Sequence, residues 1–193
     1  IRPLLESNIC CIIDNKIKSN FRITKIYETF ILTDFPSYNG KDRVWYLLED
    51  ESILFAKNIP DCSDKNVLDI GSGSGVLAII ASLNNAKSVI AIDVSERAIE
   101  IGTFNAKFND CKNIKFVKCG IHEFKSKNKF DYIVFDPPFV PIPSGTRYIL
   151  SGYGEQYGLE LVHELFRKLP YLSKSDTAIS IISMSPGDKN LSI

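Results

Sequence analysis

The sequence predicts an open α/β sheet, mostly parallel, with helices on both faces and strand order 3-2-1-4-5. Three observations predict it. From about residue 66 onward, short β-rich runs alternate with helical stretches, and that alternation implies parallel strands joined by crossover helices. Right-handed crossovers restrict the possible strand orders to a few. Glycines and polar residues cluster where the runs end, at the place where such a sheet carries its crevice.

The elements follow in order. Residues 49–59 read as a helix leading into the sheet. Val67-Leu-Asp-Ile70 is apolar, runs into glycines and reads as the first buried strand. Residues 75–83 read as a nearly all-apolar helix. Val89-Ile-Ala-Ile-Asp93 is the second strand, and Ser95 is a suitable N-cap for a helix running to about residue 109. Ile114-Lys-Phe-Val117 is the third strand. Tyr132-Ile-Val-Phe135 is the fourth, stopped by Asp136-Pro137-Pro138. Leu159, Val162, Leu165, Phe166, Leu169 and Leu172 fall at helical spacing, so residues 158–172 form an amphipathic helix. Residues 178–184 are the fifth strand. Residues 1–48 are less regular and are assigned to an N-terminal cap or substrate-side segment, with residues 49–193 as the main domain.

Composition narrows the classes. The chain has 193 residues, 45% apolar and 24% charged, ordinary for a globular protein. No apolar run approaches the ~20 residues of a membrane helix. Residues 1–16 do not read as a signal peptide, so a cytoplasmic location and no membrane partner are expected. Lys plus Arg and Asp plus Glu both number 23, which argues against binding long nucleic acid by bulk charge. A local excess does exist. Residues 104–129 hold seven lysines against Asp110 and Glu123, 7 − 2 = +5, and a solvated face is the simpler account. The five cysteines include no Cys-x-x-Cys pair and there are two histidines, so no metal site is expected.

The chemistry concentrates at three places. Asp69-Ile-Gly71-Ser72-Gly73-Ser-Gly75 lies between the first strand and its helix. Glycines there let a ligand approach the backbone. The third glycine comes one residue too early for the dinucleotide fingerprint, and Asp69 would repel a pyrophosphate but could pair with a cation. Asp93 ends the second strand, 22 residues after Gly71, where a carboxylate accepts hydrogen bonds from ribose hydroxyls. Together these describe a site for a cationic nucleoside without phosphates, S-adenosylmethionine (SAM).

Val67-Leu-Asp-Ile-Gly-Ser-Gly-Ser-Gly-Val-Leu-Ala78, Ala91-Ile-Asp-Val-Ser95 and Phe130-Asp-Tyr-Ile-Val-Phe-Asp-Pro-Pro-Phe139 resemble the class I SAM-dependent methyltransferases. The resemblance covers about residues 49–186 and implies a Rossmann-like sheet with the cofactor over the glycine loop. It implies cofactor contacts from Asp69, Gly71, Ser72, Gly73, Asp93, Val94, Gly120 and Ile121, the last two on the adenine side. Many relatives carry an acid after the third strand; here Cys119-Gly-Ile-His122 stands there.

Asp136-Pro137-Pro138-Phe139 looks like the Asn/Asp-Pro-Pro-aromatic motif of enzymes that methylate planar amide or amine nitrogens. Such a nitrogen is a weak nucleophile because its lone pair is delocalised. The Asp136 carboxylate and the Pro137 carbonyl can each accept one N–H and stabilise the charge that develops. Phe139 offers a face for stacking. These three are the expected catalytic residues.

Phe139-Val-Pro-Ile-Pro143, the stretch Ser151-Gly-Tyr-Gly-Glu-Gln-Tyr-Gly-Leu-Glu-Leu161 and Val44-Trp-Tyr-Leu-Leu-Glu-Asp-Glu-Ser52 resemble the release-factor glutamine methyltransferases and the methyltransferase small-domain family. Those carry Asn where this chain has Asp136, and Asp-Pro-Pro is more usual in enzymes acting on guanine or adenine amines. Asp136 leans toward a base, but the zero net charge and a lysine cluster that a solvated face explains keep RNA from leading. The expected acceptor is therefore a protein glutamine, with an RNA base as the alternative. A nicotinamide-dependent oxidoreductase and a non-catalytic module of the same fold are the rival classes. The family sheet continues past the fifth strand with a helix and a hairpin, and these edge strands are expected to be missing here.

Overall fold

A computed structural model describes residues 10–35, 38, 40–44, 51–138, 140 and 158–182. Its centre is a five-stranded parallel sheet of β5 (Asn66–Ile70), β6 (Ser88–Asp93), β7 (Ile114–Lys118), β8 (Phe130–Phe135) and β9 (Ser173–Ile181). The spatial order is β7-β6-β5-β8-β9, which is the expected 3-2-1-4-5. The order reverses between β5 and β8, so the crevice opens at the carboxyl ends of these two strands.

The central strands β5, β6 and β8 are largely apolar because both faces are covered, while the edge strands β7 and β9 carry exposed lysines. Alternate residues serve alternate layers. On one face Val67, Val89, Ala91, Tyr132 and Val134 pack with Phe55 and with Val76 to Ala81. On the other, Leu68, Ile70, Ile92, Ile133 and Phe135 meet Val162, Leu165 and Leu172.

Four helices are described: α1 (Glu51–Lys57), α2 (Val76–Leu83), α3 (Glu96–Phe108) and α4 (Glu160–Leu172). Helix α2 is apolar on nearly every side because the sheet, α1 and α3 enclose it. Helix α3 starts at the predicted cap, where the Ser95 hydroxyl accepts from the Ala98 N–H at 3.2 Å.

Strand β9 begins directly after α4, earlier than the predicted residue 178. The polar stretch after Leu172 hid this start. Phe130 pairs with Ser173 and Tyr132 with Ala178, so the regular ladder begins at the predicted position. Between them the backbone bulges, held by Thr177 Oγ1 donating to the Phe130 carbonyl at 2.7 Å. Residues 183–193, which include the last two of the predicted fifth strand, lie outside the described residues.

Two antiparallel hairpins precede the sheet: β1 (Cys10–Ile13) with β2 (Lys16–Ser19), and β3 (Phe21–Ile26) with β4 (Thr29–Asp34). The first turns at Asp14 and Asn15, both with positive φ, residue types that tolerate that conformation in a two-residue hairpin loop. The second lies against α3. The amide of Asn105 exchanges two hydrogen bonds with the backbone of Leu32, and Asn109 does the same with Phe30. At the end of this seam Arg97 grips Asp34 through two nitrogens. Among the described residues no helix is long and apolar enough to cross a membrane.

Candidate active site

The glycine loop leaves β5 and enters α2 through three positive-φ glycines, Gly71 (69°), Gly73 (51°) and Gly75 (78°). Side chains are disfavoured there by their own Cβ. At Gly75 space is lacking too, since a Cβ would come 2.9 Å from the Phe116 ring.

The loop is tied down by the end of β6. The Gly71 and Ser72 N–H groups donate to the Ile92 carbonyl at 2.9 and 3.0 Å, and Gly75 donates to Ser72 O at 2.7 Å. Asp93 spans loop and helix cap: Oδ2 accepts from Gly73 N–H at 2.8 Å and Oδ1 from Ser95 N–H at 2.9 Å. Desolvation raises its pKa, opposed by hydrogen bonds from the Ser95, Gly73 and Val94 amides. The side chain is part-exposed at the crevice, and with three amide donors on its two oxygens one acceptor position stays open for a further donor.

Asp69 lies beneath the loop, with no exposure to solvent. One oxygen accepts from Ala78 N–H of α2 at 3.1 Å; the other is buried without a partner. Burial pushes its pKa up to about 8, with Asp93 and Asp136 adding in the same direction. Near neutrality the carboxyl is therefore mostly protonated. The Ser72 hydroxyl is also buried without a partner.

The third-strand loop borders the same crevice. Cys119 N–H donates to the Asp93 carbonyl at 2.9 Å. A Cβ on Gly120 would meet Val94 Cγ1 at 3.2 Å, so these two predicted contacts are neighbours. Val94 is half exposed, while Ile121 is buried beside Ile92 and Phe124.

The Asp-Pro-Pro motif continues β8, the partner of β5. Their register pairs Ile70 with Phe135, which makes Gly71 and Asp136 the next opposed positions. Accordingly, a Cβ on Gly71 would lie 3.8 Å from the Asp136 carbonyl oxygen. The Asp136 side chain accepts from the Ser52 hydroxyl of α1 at 3.2 Å, and Pro137 is buried. Phe139 lies outside the described residues.

The sequence reading gave no role to Ser52. It lies within the quoted segment 44–52, but its partner is 84 residues away and no local pattern signals such a contact. Asn105 was missed for the same reason.

This donor set fits a cationic nucleoside better than a phosphate ligand. Four loop N–H groups that could cradle a pyrophosphate already have acceptors within the protein. What faces the crevice instead is carboxylate oxygen from Asp93 and Asp136. A dinucleotide would find repulsion there and few free donors.

Comparison with known proteins decides the family. A methyltransferase domain model matches residues 61–183. A Methanocaldococcus jannaschii protein, named as a protein N5-glutamine methyltransferase, is 32% identical over 145 residues, covering 72% of this chain and 73% of that one. The chain belongs to the SAM-dependent methyltransferases. A Fusobacterium nucleatum release factor glutamine methyltransferase is 35% identical over 82 residues, 42% of this chain and 23% of that protein. This methyltransferase chain thus spans less than a quarter of that relative's length. Among solved structures, SMU.776, named as a methyltransferase and complexed with S-adenosylhomocysteine (SAH), shares the fold. Its TM-score is 0.65 at 12% identity, over 89% of this chain and 44% of that one. The ribosomal protein L11 methylase of Lactobacillus delbrueckii does so at TM-score 0.53 and 22% identity, over 70% and 61%.

Proposed function

We propose that this chain methylates a planar amide nitrogen, the side-chain amide of a protein glutamine, using SAM. The observation that carries the reading is the opposition of Gly71 and Asp136 across the β5–β8 switch point. It sets the nitrogen-holding motif beside the cofactor loop. The name of the Methanocaldococcus relative supports glutamine as the acceptor.

Bound SAM would supply a methyl group already activated on a sulfonium. Asp93 would hold its ribose hydroxyls. The loop Gly71 to Gly73 would leave room for the methionine portion, with Asp69 supporting the loop from below. Gly120 and Ile121 would border the adenine, with Val94 beside them. Asp136 and the Pro137 carbonyl would each accept a hydrogen bond from the amide NH2, pointing the nitrogen lone pair at the methyl and stabilising the positive charge as the N–C bond forms and the S–C bond breaks to leave SAH. The nitrogen would then lose one proton to solvent. Phe139 would stack on the amide plane. The Ser52 hydroxyl, donating to Asp136, would fix the carboxylate rotamer. Residues 1–48 would flank the acceptor side, and residues 49–193 would form the catalytic domain.

The alternative acceptor is an exocyclic amine of an RNA base. It is favoured by the aspartate at position 136 and by the exposed lysines between residues 104 and 129. A Mycoplasma mobile relative, 29% identical over 118 residues, is named an RNA methyltransferase.

The test is transfer of labelled methyl from SAM to fractionated protein and RNA. Label in protein, recovered as methylglutamine, is the expected outcome. Label confined to RNA, falling steeply with salt as counterion release requires, would reverse the order of acceptors.

A further inference from the structure

Asn105 sits in the last turn of α3, fully buried, and its amide makes three hydrogen bonds. Its Oδ1 accepts from Leu32 N–H at 2.9 Å, and its Nδ2 donates to Leu32 O at 2.8 Å and to Ser74 O at 2.9 Å. Leu32 belongs to the N-terminal hairpin and Ser74 to the glycine loop. One side chain therefore bridges two segments that lie 42 residues apart in sequence, 74 − 32. Asn109, one turn later, makes the same paired contact with Phe30 at 3.0 and 2.9 Å. Its remaining donor goes to the Asn105 carbonyl, not to the loop.

The approach is close because α3 is thinned at this level. A Cβ on Gly102 would collide with the Phe116 ring and one on Gly75 would come within 3.2 Å of Gly102 Cα. The loop rests directly on the helix. Asn105 is the polar contact that fixes how it rests.

Resting on the cofactor site assigned above, we infer that Asn105 is a positioning residue that couples docking of the β3–β4 hairpin to the shape of the cofactor loop. Its planar amide cannot leave Leu32 without also moving from Ser74. Hairpin docking holds the loop in its binding shape. By linkage, a ligand that needs this shape tightens the hairpin in return.

The experiment compares Asn105→Ala with Asn109→Ala, using SAH as the probe. Both remove a paired contact to the hairpin, so both lower the melting temperature. Asn105→Ala should also weaken SAH binding by about ten-fold or more, as loss of buried hydrogen bonds commonly does. Asn109→Ala should stay within about two-fold. Asn105→Asp keeps the acceptor for Leu32 but presents no donor to Ser74, and it should lose affinity like the alanine variant. Amide hydrogen exchange on the wild-type chain tests the coupling without any variant. SAH should slow exchange at Leu32 and leave Phe30 unchanged. SAH affinity unaltered in the Asn105 variants, or Leu32 exchange indifferent to SAH, overturns the proposal. A wild-type chain that does not bind SAH overturns the assignment of the site, and the proposal with it.

Discussion

Asp93 and Gly73 are joined directly: the carboxylate that ends β6 accepts the Gly73 N–H at 2.8 Å. The residue assigned to the ribose thus also holds the glycine loop. Asp93→Ala should weaken SAH by more than the roughly 1–3 kcal/mol of one hydrogen bond to a charged group, because loop and ribose contacts go together. Asp93→Asn is expected to be nearly as damaging. Both oxygens face backbone donors, so the amide NH2 must oppose one of them. Calorimetry on folded variants checks this; wild-type affinity in either would remove Asp93 from the site.

Asp136 is expected to act on the chemical step. Asp136→Ala should lower kcat more than it weakens SAH, since its interaction strengthens as charge develops on the nitrogen. Asp136→Asn should be milder, because an amide oxygen still accepts a hydrogen bond. Steady-state kinetics with SAH titration separates the two effects, and a folded Asp136→Ala enzyme with full turnover would contradict the assignment.

Ser52→Ala should reduce kcat by about ten-fold or more, the scale of one hydrogen bond to a charged group, and leave SAH affinity unchanged. Ser52→Thr, which retains the hydroxyl, should recover part of the loss. Equal activity in all three proteins would show that the contact to Asp136 has no catalytic consequence.

Asp69 makes stability depend on pH. Its folded pKa, about 8, lies above the ordinary carboxylate value of 3.8. Between these values the folded protein holds a proton that the unfolded chain has released, so stability falls as pH rises. The contribution is complete below about pH 4 and gone above about pH 8. Asp69→Asn should flatten this slope in urea midpoints measured from pH 5 to 8. A slope that persists unchanged would exclude Asp69 as its source.

Arg97→Ala should destabilise the chain by about 3–5 kcal/mol, the usual cost of stranding a buried charge. Asp34 has no solvent exposure and also accepts from Val44 N–H at 2.8 Å. The guanidinium lies over the Tyr38 ring at 4.4 Å and the Phe21 ring at 5.6 Å, so packing is lost with the charge. Thermal melting of Arg97→Ala and Arg97→Lys against wild type gives the measure.

The sheet was legible because its central strands are apolar runs ending at glycine, aspartate or proline, and strand order follows from handedness once the runs are placed. The crevice was legible because Gly71, Gly73, Asp93 and Asp136 fall at strand ends. The N-terminal hairpins were not. Strand β2 is exposed at every residue, so it lacks the in-out alternation that marks a strand. The Asp14-Asn15 turn was its one available signal. Ser52 and Asn105 escaped because each is a single polar residue on a helix, and its meaning depends on a partner 84 or 73 residues away.

The seam between α3 and β4 works like a vernier scale. Four residues of helix advance about 6.0 Å and two residues of strand about 6.8 Å. Two amide rungs, Asn105 on Leu32 and Asn109 on Phe30, can share this pitch with little error. The next helix position on that face, Ile101, packs instead with Val44 and Leu32, and a long arginine spans the remaining distance to Asp34. Such a scale tolerates no miscount. One residue inserted within β4 would exchange its outward and inward peptide groups and turn the Leu32 backbone away from Asn105. An insertion at the Tyr27–Glu28 turn would leave the marks aligned. Length changes in this chain should therefore be accepted at the hairpin tip and refused a few residues later, although neither place belongs to the assigned cofactor site.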